Sequence, residues 1–349
     1  MTTDSKTPSR CTYTCILFLL SAGLLQIACL SKSFPVDKES RLRAMWFWHT
    51  EEMLKSPSGV EDVLSFAVEH NIDHLFVQIL TKEDAGVTQI SDPAEMRAFI
   101  SLATELGIKI HALDGAPNFA LSDNHDTVLS KVQAVLDFNE TANASERFHA
   151  VRMDIEPYAL EDKWYGKEGD KEHEKLESRQ AIIESFLEIN QSIVDLIAQD
   201  ENPIDFGIDI PFWYDKKKED GTYEYTAEHN GEYANLATHL IRMVDNVGLM
   251  AYRNNPTGSD STLELSRVEL EIADHEDAAT VFIGFETKLP DGEGIPKNIT
   301  FGHLTSQRLE EAITKLEAAA SEYESFSGVA IHHYKSLKAL VNQASDNSM

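Results

Sequence analysis

Val151-Arg152-Met153-Asp154-Ile155-Glu156-Pro157-Tyr158 reads as a buried strand that ends in two carboxylates one residue apart and is stopped by a proline. Side chains at i and i+2 of a strand share a face, so Asp154 and Glu156 are expected to project together into whatever that face lines. Two acids on one inward face are costly to hold unless they bind a cation or exchange a proton. Catalysis is the leading expectation for this segment.

The same alternation repeats on both sides of it. Short β-branched and aromatic runs predict strands at 44–48, 74–79, 109–113, 149–155, 206–210, 246–251, 280–285 and 328–332. Between them, helical periodicity predicts helices over 59–70, 91–107, 123–139, 170–200, 226–244, 261–277, 305–325 and 335–345. The second opens at Ser91-Asp92-Pro93, with a capping residue and an early proline, and closes at Gly107. Eight β–α units in about 300 residues are the arithmetic of a (β/α)₈ TIM barrel, an α/β fold, here one domain over 42–345. A doubly wound sheet is the other architecture for such a pattern. No glycine-rich phosphate loop follows the first strand, where Trp46-Phe47-Trp48-His49-Thr50 stands instead.

Residues 1–29 read as a leader. The apolar run CILFLLSAGLLQIACL at 15–30 follows Lys6 and Arg10 and gives way to a short polar linker at 30–41. Ala28-Cys29 is similar to a bacterial lipoprotein junction. Lipidation at Cys29, cleavage after Ala28 and retention as an anchor all remain open, and all imply export to the periplasm, cell surface or medium. Any membrane attachment is expected through this leader, although the run is short for a spanning helix, which needs about 20 apolar residues. Cys11, Cys15 and Cys29 are the chain's cysteines, so the barrel can build no disulfide, thiolate metal site or cysteine nucleophile. No Gly-x-Ser-x-Gly elbow is present either.

With 42% hydrophobic and 26% charged residues the composition is that of a globular protein, but the formal charge is −29. Such a field repels phosphate backbones, which disfavours nucleic acid as a partner and favours a neutral or cationic substrate.

In a barrel the active site forms at the C-terminal strand ends. There the sequence places Trp46, Trp48 and His49 (strand 1), Gln78 (strand 2), His111 and Asp114 (strand 3), and Asp154, Glu156 and Tyr158 (strand 4). Strand 5 contributes Asp209, Phe212, Trp213 and Tyr214; strand 6, Tyr252 and Arg253; strand 7, Glu286; strand 8, His332, His333 and Tyr334. Aromatic faces beside acids and amides are suited to sugar rings, which stack through their C–H faces and hydrogen-bond through their hydroxyls. Glycoside hydrolysis commonly uses two carboxyl groups flanking the scissile bond, and Glu156 and Glu286 are the candidates. Simpler roles are an ion pair of Glu156 with Arg152, and of Glu286 with Lys288 or Arg253. The loop at 160–173, with Trp164 and Tyr165, is either a solvated insertion or a lid or subsite wall beside Glu156, and 216–225 invites the same readings.

Glutamates on strands 4 and 7 resemble those of the retaining barrel glycosidases, in which these strands supply acid/base and nucleophile. The Asp-x-Glu ending of strand 4, with Met250-Ala251-Tyr252 on strand 6, is similar to the chitinase-type barrels of glycoside hydrolase family 18. That resemblance implies Glu156 as acid, Asp154 as the group that orients the substrate's N-acetyl group, and Tyr252 as helper. The segments DIEPY, DIPFWYD, LMAYR and AIHHY also resemble exported barrel proteins of hydrolase type.

The expectation is a glycosidase acting on a neutral or amino-sugar-containing glycan, with Glu156 as general acid, Asp154 and Glu286 as its catalytic partners, and no cofactor or metal. Trp46, Trp48, Gln78, Asp114, Tyr158, Asp209, Trp213, Tyr252, Arg253, His332 and Tyr334 are the candidates for holding substrate. A non-catalytic sugar-binding barrel is the alternative. So is a metal-dependent hydrolase built from His111, Asp114, Asp209, Glu286, His332 and His333.

Overall fold

The computed structural model describes residues 41–276, 278–291 and 294–346; the leader, Cys29 and all but the last residue of the 30–41 linker lie outside them. Eight strands are present where the sequence pattern asks for them: β1 (Leu42–Phe47), β2 (His74–Gln78), β3 (Lys109–Asp114), β4 (Ala150–Met153), β5 (Asp205–Pro211), β6 (Asn246–Met250), β7 (Thr280–Glu286) and β8 (Phe326–His332). They pair in parallel and close in the order β1-β8-β7-β6-β5-β4-β3-β2. The outer layer is α1 (Gly59–Glu69), α2 (Pro93–Glu105), α3 (His125–Glu140), α4 (Glu172–Ala198), α5 (Leu236–Met243), α6 (Thr262–Glu276), α7 (Ser306–Ala319) and α8 (Tyr334–Asp346). This is the expected (β/α)₈ barrel.

Strand alternation divides the core in two. Outward residues such as Met45, Phe47, Leu75, Val77, Val151 and Met153 pack under the helices, whereas Ala44, Trp46, Phe76, Leu113, Phe282 and Ala330 cluster inside the barrel. Strand β4 is shorter than expected, ending at Met153, yet the Asp154 N–H still donates to the Asp114 carbonyl at 2.9 Å. The carboxylates therefore stand just beyond the strand, and Glu156 precedes a single 3₁₀ turn, Pro157–Ala159.

Three local expectations need correction. The first half of the helix expected at 226–244 is a hairpin, Thr226–His229 with Glu232–Asn235, turned by Asn230-Gly231 at φ +51° and +80°. Two adjacent left-handed residues are what a tight hairpin turn requires. Only then does α5 begin, its Thr238 N–H donating to Asn235 Oδ1 at 2.9 Å. Second, α2 starts at Pro93 as expected, but Asp92 gives it no side-chain cap and itself sits at φ +48°. Third, Trp164, at the end of a short helix Glu161–Trp164, is only 1% exposed and stacks on Tyr225 at 5.7 Å. It anchors the loop after β4 to the loop after β5, where Tyr225 is also buried, so neither aromatic is a subsite wall.

Candidate active site

The floor of the barrel mouth is built around a buried arginine. Arg152, Gly207 and Asn246 lie in one row across β4, β5 and β6, and Asp209 faces Gly248 in the next inward row. The guanidinium crosses over Gly207 to donate to Asn246 Oδ1 and to Asp209 Oδ1. A Cβ on Gly207 would collide with the Asn246 amide, and one on Gly248 with the Asp209 carboxylate. Glycine on these two strands is what makes room for the ion pair. Trp46 Nε1 donates to Asp209 Oδ2 at 2.8 Å, and the guanidinium lies 3.8 Å from the centre of the Phe76 ring. Burial pushes the Asp209 carboxyl upward, with Arg152 and Trp46 opposing it.

Asp154 and Glu156 stand next to this frame. Asp154 Oδ1 is buried with no hydrogen-bond partner. Its burial, reinforced by the charges of Asp209 and Glu156 and opposed by Arg152, pushes the carboxyl well above the usual range. Glu156 is half-buried, and Tyr158 Oη donates to its Oε1. Burial and the neighbouring Glu156 push the Tyr158 phenol up, keeping it a donor. The Arg152–Glu156 ion pair anticipated as the simpler role is not formed, because Arg152 is spent on Asp209 and Asn246.

Across the mouth, Glu286 is 5% exposed and fixed at both oxygens. Oε1 accepts the backbone N–H groups of Thr287 and Lys288 at 2.8 and 2.7 Å, and Oε2 stands 2.9 Å from His332 Nδ1. Burial works to raise this carboxyl, but His332 and the Lys288 N–H outweigh it and hold it below the usual range. Its partner is thus neither the Lys288 ammonium nor Arg253, which pairs with Asp260 at 2.9 Å. The His332 ring stacks on Tyr252 at 6.1 Å and takes the edge of Trp46 at 5.9 Å. A side chain at Gly284 would strike the Tyr252 ring, so this glycine leaves space for the tyrosine. Tyr252 feels the charges of Glu286, Asp154, Asp209 and Glu156 together, which places it among all four carboxyls.

The remaining candidates divide. Trp48 is half-buried against the inner cluster of Trp46 and Phe76, and Trp213 is half-buried beside Tyr158 at 5.0 Å. Arg253 lies over Phe212. Gln78 is half-buried at the end of β2, where its carbonyl accepts the Thr50 hydroxyl at 2.6 Å. Asp114 is committed elsewhere, paired with Lys131 of α3 at 2.6 Å. Tyr334 is not in the mouth: as the first residue of α8 it packs outside the barrel against Phe47 and Phe66. His111 points to the other end of the barrel, with its Nε2 2.8 Å from His74 Nδ1. The donor set imagined for a metal is therefore dispersed, and among the described residues no three His, Cys, Asp or Glu side chains are grouped to hold an ion. The sequence reading gave Arg152 only a pairing with Glu156 and passed over Asn246; their signal was Gly207 and Gly248, which leave space on strands otherwise bulky.

No protein-family model and no curated protein matches the chain by sequence. Solved structures match by fold. The endo-1,4-β-mannanase of Rhizomucor miehei superposes with a TM-score of 0.52 at 10% identity, covering 84% of this chain and 85% of its own. The β-mannanase of the blue mussel Mytilus edulis gives 0.51 at 14%, over 86% and 90%. The spore cortex-lytic enzyme SleL of Bacillus megaterium gives 0.51 at 12%, over 88% and 75%. The chain shares the barrel of these proteins.

Proposed function

We propose that the chain is an exported glycoside hydrolase that cleaves a neutral or amino-sugar-containing glycan, with Glu156 as general acid. The observation that carries the reading is the pairing of Asp154 and Glu156 just beyond β4, both half-buried, the first with its Oδ1 unpartnered and its carboxyl pushed upward by burial, the second hydrogen-bonded by Tyr158. Glu156 delivers a proton to the glycosidic oxygen as that oxygen leaves the anomeric carbon. Asp154, its buried Oδ1 without a partner, orients the substrate beside it through a hydrogen bond, and the Tyr158 phenol keeps the Glu156 carboxyl aimed. Half-buried Trp48 and Trp213 offer apolar faces to sugar rings. The acidic surface agrees with an uncharged substrate, and the barrel fold shared with glycan-cleaving enzymes agrees with the reaction class.

The test is release of new reducing ends from a panel of mannans, chitin oligomers and peptidoglycan, comparing the protein with Glu156→Gln. The expected result is turnover that falls by roughly 10²- to 10⁴-fold in the variant with its folding unchanged. Undiminished turnover in Glu156→Gln would remove the assignment, and binding without turnover in either protein would make this a sugar-binding barrel.

A further inference from the structure

The carboxylate across the mouth is tied in a way that suits orientation better than attack. A nucleophile must advance on carbon, yet Glu286 is held by two backbone N–H groups on one oxygen and by an imidazole on the other. The ends of β7 and β8 are stitched together around it: the N–H and the hydroxyl of Thr287 both donate to the His332 carbonyl, at 2.8 and 2.7 Å. The imidazole is placed differently. An ionised carboxylate can only accept, so Nδ1 carries the hydrogen and Nε2 is left as a bare acceptor. Tyr252 and Trp46 flank the ring, whose side chain is 16% exposed. Strand β8 lies four places from β4 in the closed barrel, diametrically across from Glu156.

Building on the glycoside-hydrolase reading, we infer that His332 is the catalytic base opposite Glu156 and that Glu286 is its positioning residue. Glu156 gives its proton to the glycosidic oxygen as the bond from that oxygen to the anomeric carbon breaks. A water oxygen forms the new bond to that carbon, and the proton it sheds passes to His332 Nε2. The step leaves Glu156 ionised and His332 cationic, and exchange with solvent restores both. Glu286 fixes the tautomer and stabilises the imidazolium, the division of labour found wherever a carboxylate orients a histidine base. The charged and titratable groups around the imidazole are Glu286 and Lys288 from the end of β7, Tyr252 after β6, and His333 just past the end of β8 with His49 beyond it.

The experiment uses the full chain and whichever glycan of the panel it cleaves, and compares wild type, His332→Gln, Glu286→Gln and Glu286→Ala. Expected are loss of roughly 100-fold or more in kcat for His332→Gln, and a product released with inverted anomeric configuration. In Glu286→Gln kcat falls while KM stays within about 2-fold of wild type, because the amide occupies the same place but can neither fix the tautomer nor stabilise the imidazolium formed in the step. A structural role alone would lower the folding stability of Glu286→Gln without that split between kcat and KM. Retained configuration, rescue of Glu286→Ala by azide as a glycosyl azide, or an unchanged kcat in Glu286→Gln overturns the inference. Turnover abolished by Glu156→Gln but spared by His332→Gln overturns it while leaving the glycosidase reading intact; a wild type inert on every glycan removes both.

Discussion

Arg152 has no exposed side-chain surface, and neither has Asp209. A buried ion pair of this kind is weak evidence for stability in itself, since desolvating two charges offsets much of their attraction; breaking it is another matter. In Arg152→Met the Asp209 carboxyl would keep Trp46 Nε1 and lose its cation, so a loss of about 3–5 kcal/mol is expected in urea unfolding. Adding Asp209→Asn to Arg152→Met should recover part of that loss, because no buried charge is then left alone. A single-variant loss below about 1 kcal/mol would show that the pair is not what holds the floor of the mouth. Legibility at this scale follows from distance along the chain. Asp154 and Glu156 stand out in the sequence because strand period alone puts them on one face. Arg152 and Asp209 are 57 residues apart, and no local pattern couples them. The Glu286–His332 pair, 46 residues apart, was hidden for the same reason.

At the scale of elements, the strands were legible because each is a short run of β-branched and aromatic residues with helical periodicity on either side. The hairpin at Thr226–Asn235 was not, although Asn230-Gly231 is the turn such a hairpin favours. The helical pattern of α5 was extended backwards through it. Glycines on the barrel strands carry a related lesson: in a strand they signal a close approach, and at Gly207 and Gly248 the approaching groups are polar side chains of neighbouring strands. Gly248→Ala tests this directly. Its Cβ would meet the Asp209 carboxylate and stand 2.8 Å from Arg152 Nη1. The expected cost is about 1–3 kcal/mol of overpacking, read as a lowered Tm. Gly231→Ala strains only an exposed turn at φ +80° and should leave the Arg152 site intact. If Gly248→Ala is neutral, the arginine does not need the space the glycine leaves.

Over the whole molecule, the two ends of the barrel respond to pH in opposite directions. At the N-terminal end, His74 and His111 are buried against each other with His149 beside them, ring centroids 5.0 to 6.1 Å apart. Burial, helped by Lys109, His149 and Arg152, lowers His74 to about 3, and burial with Arg152 takes His111 well below its usual value. Both stay neutral in the folded chain while the unfolded chain takes up protons below about pH 6.5. Their contribution to stability is therefore complete above that pH and is lost progressively as pH falls, in the case of His74 toward 3. Asp154 and Asp209 at the mouth are raised instead, so what they contribute is complete below about pH 4 and is lost as pH rises through their folded values. Between pH 4 and 6.5 the two ends oppose each other, and a wild-type profile alone would blur them. Comparison with His74→Gln/His111→Gln separates them, because that variant keeps the carboxyls and loses the imidazoles. The stability gap between wild type and variant should narrow steadily as pH is lowered from 6.5 to 4, while above pH 7 it stays constant. A gap that does not change with pH would mean that these imidazoles take up protons in the folded barrel as readily as in the unfolded chain, and acid lability would then have to originate elsewhere.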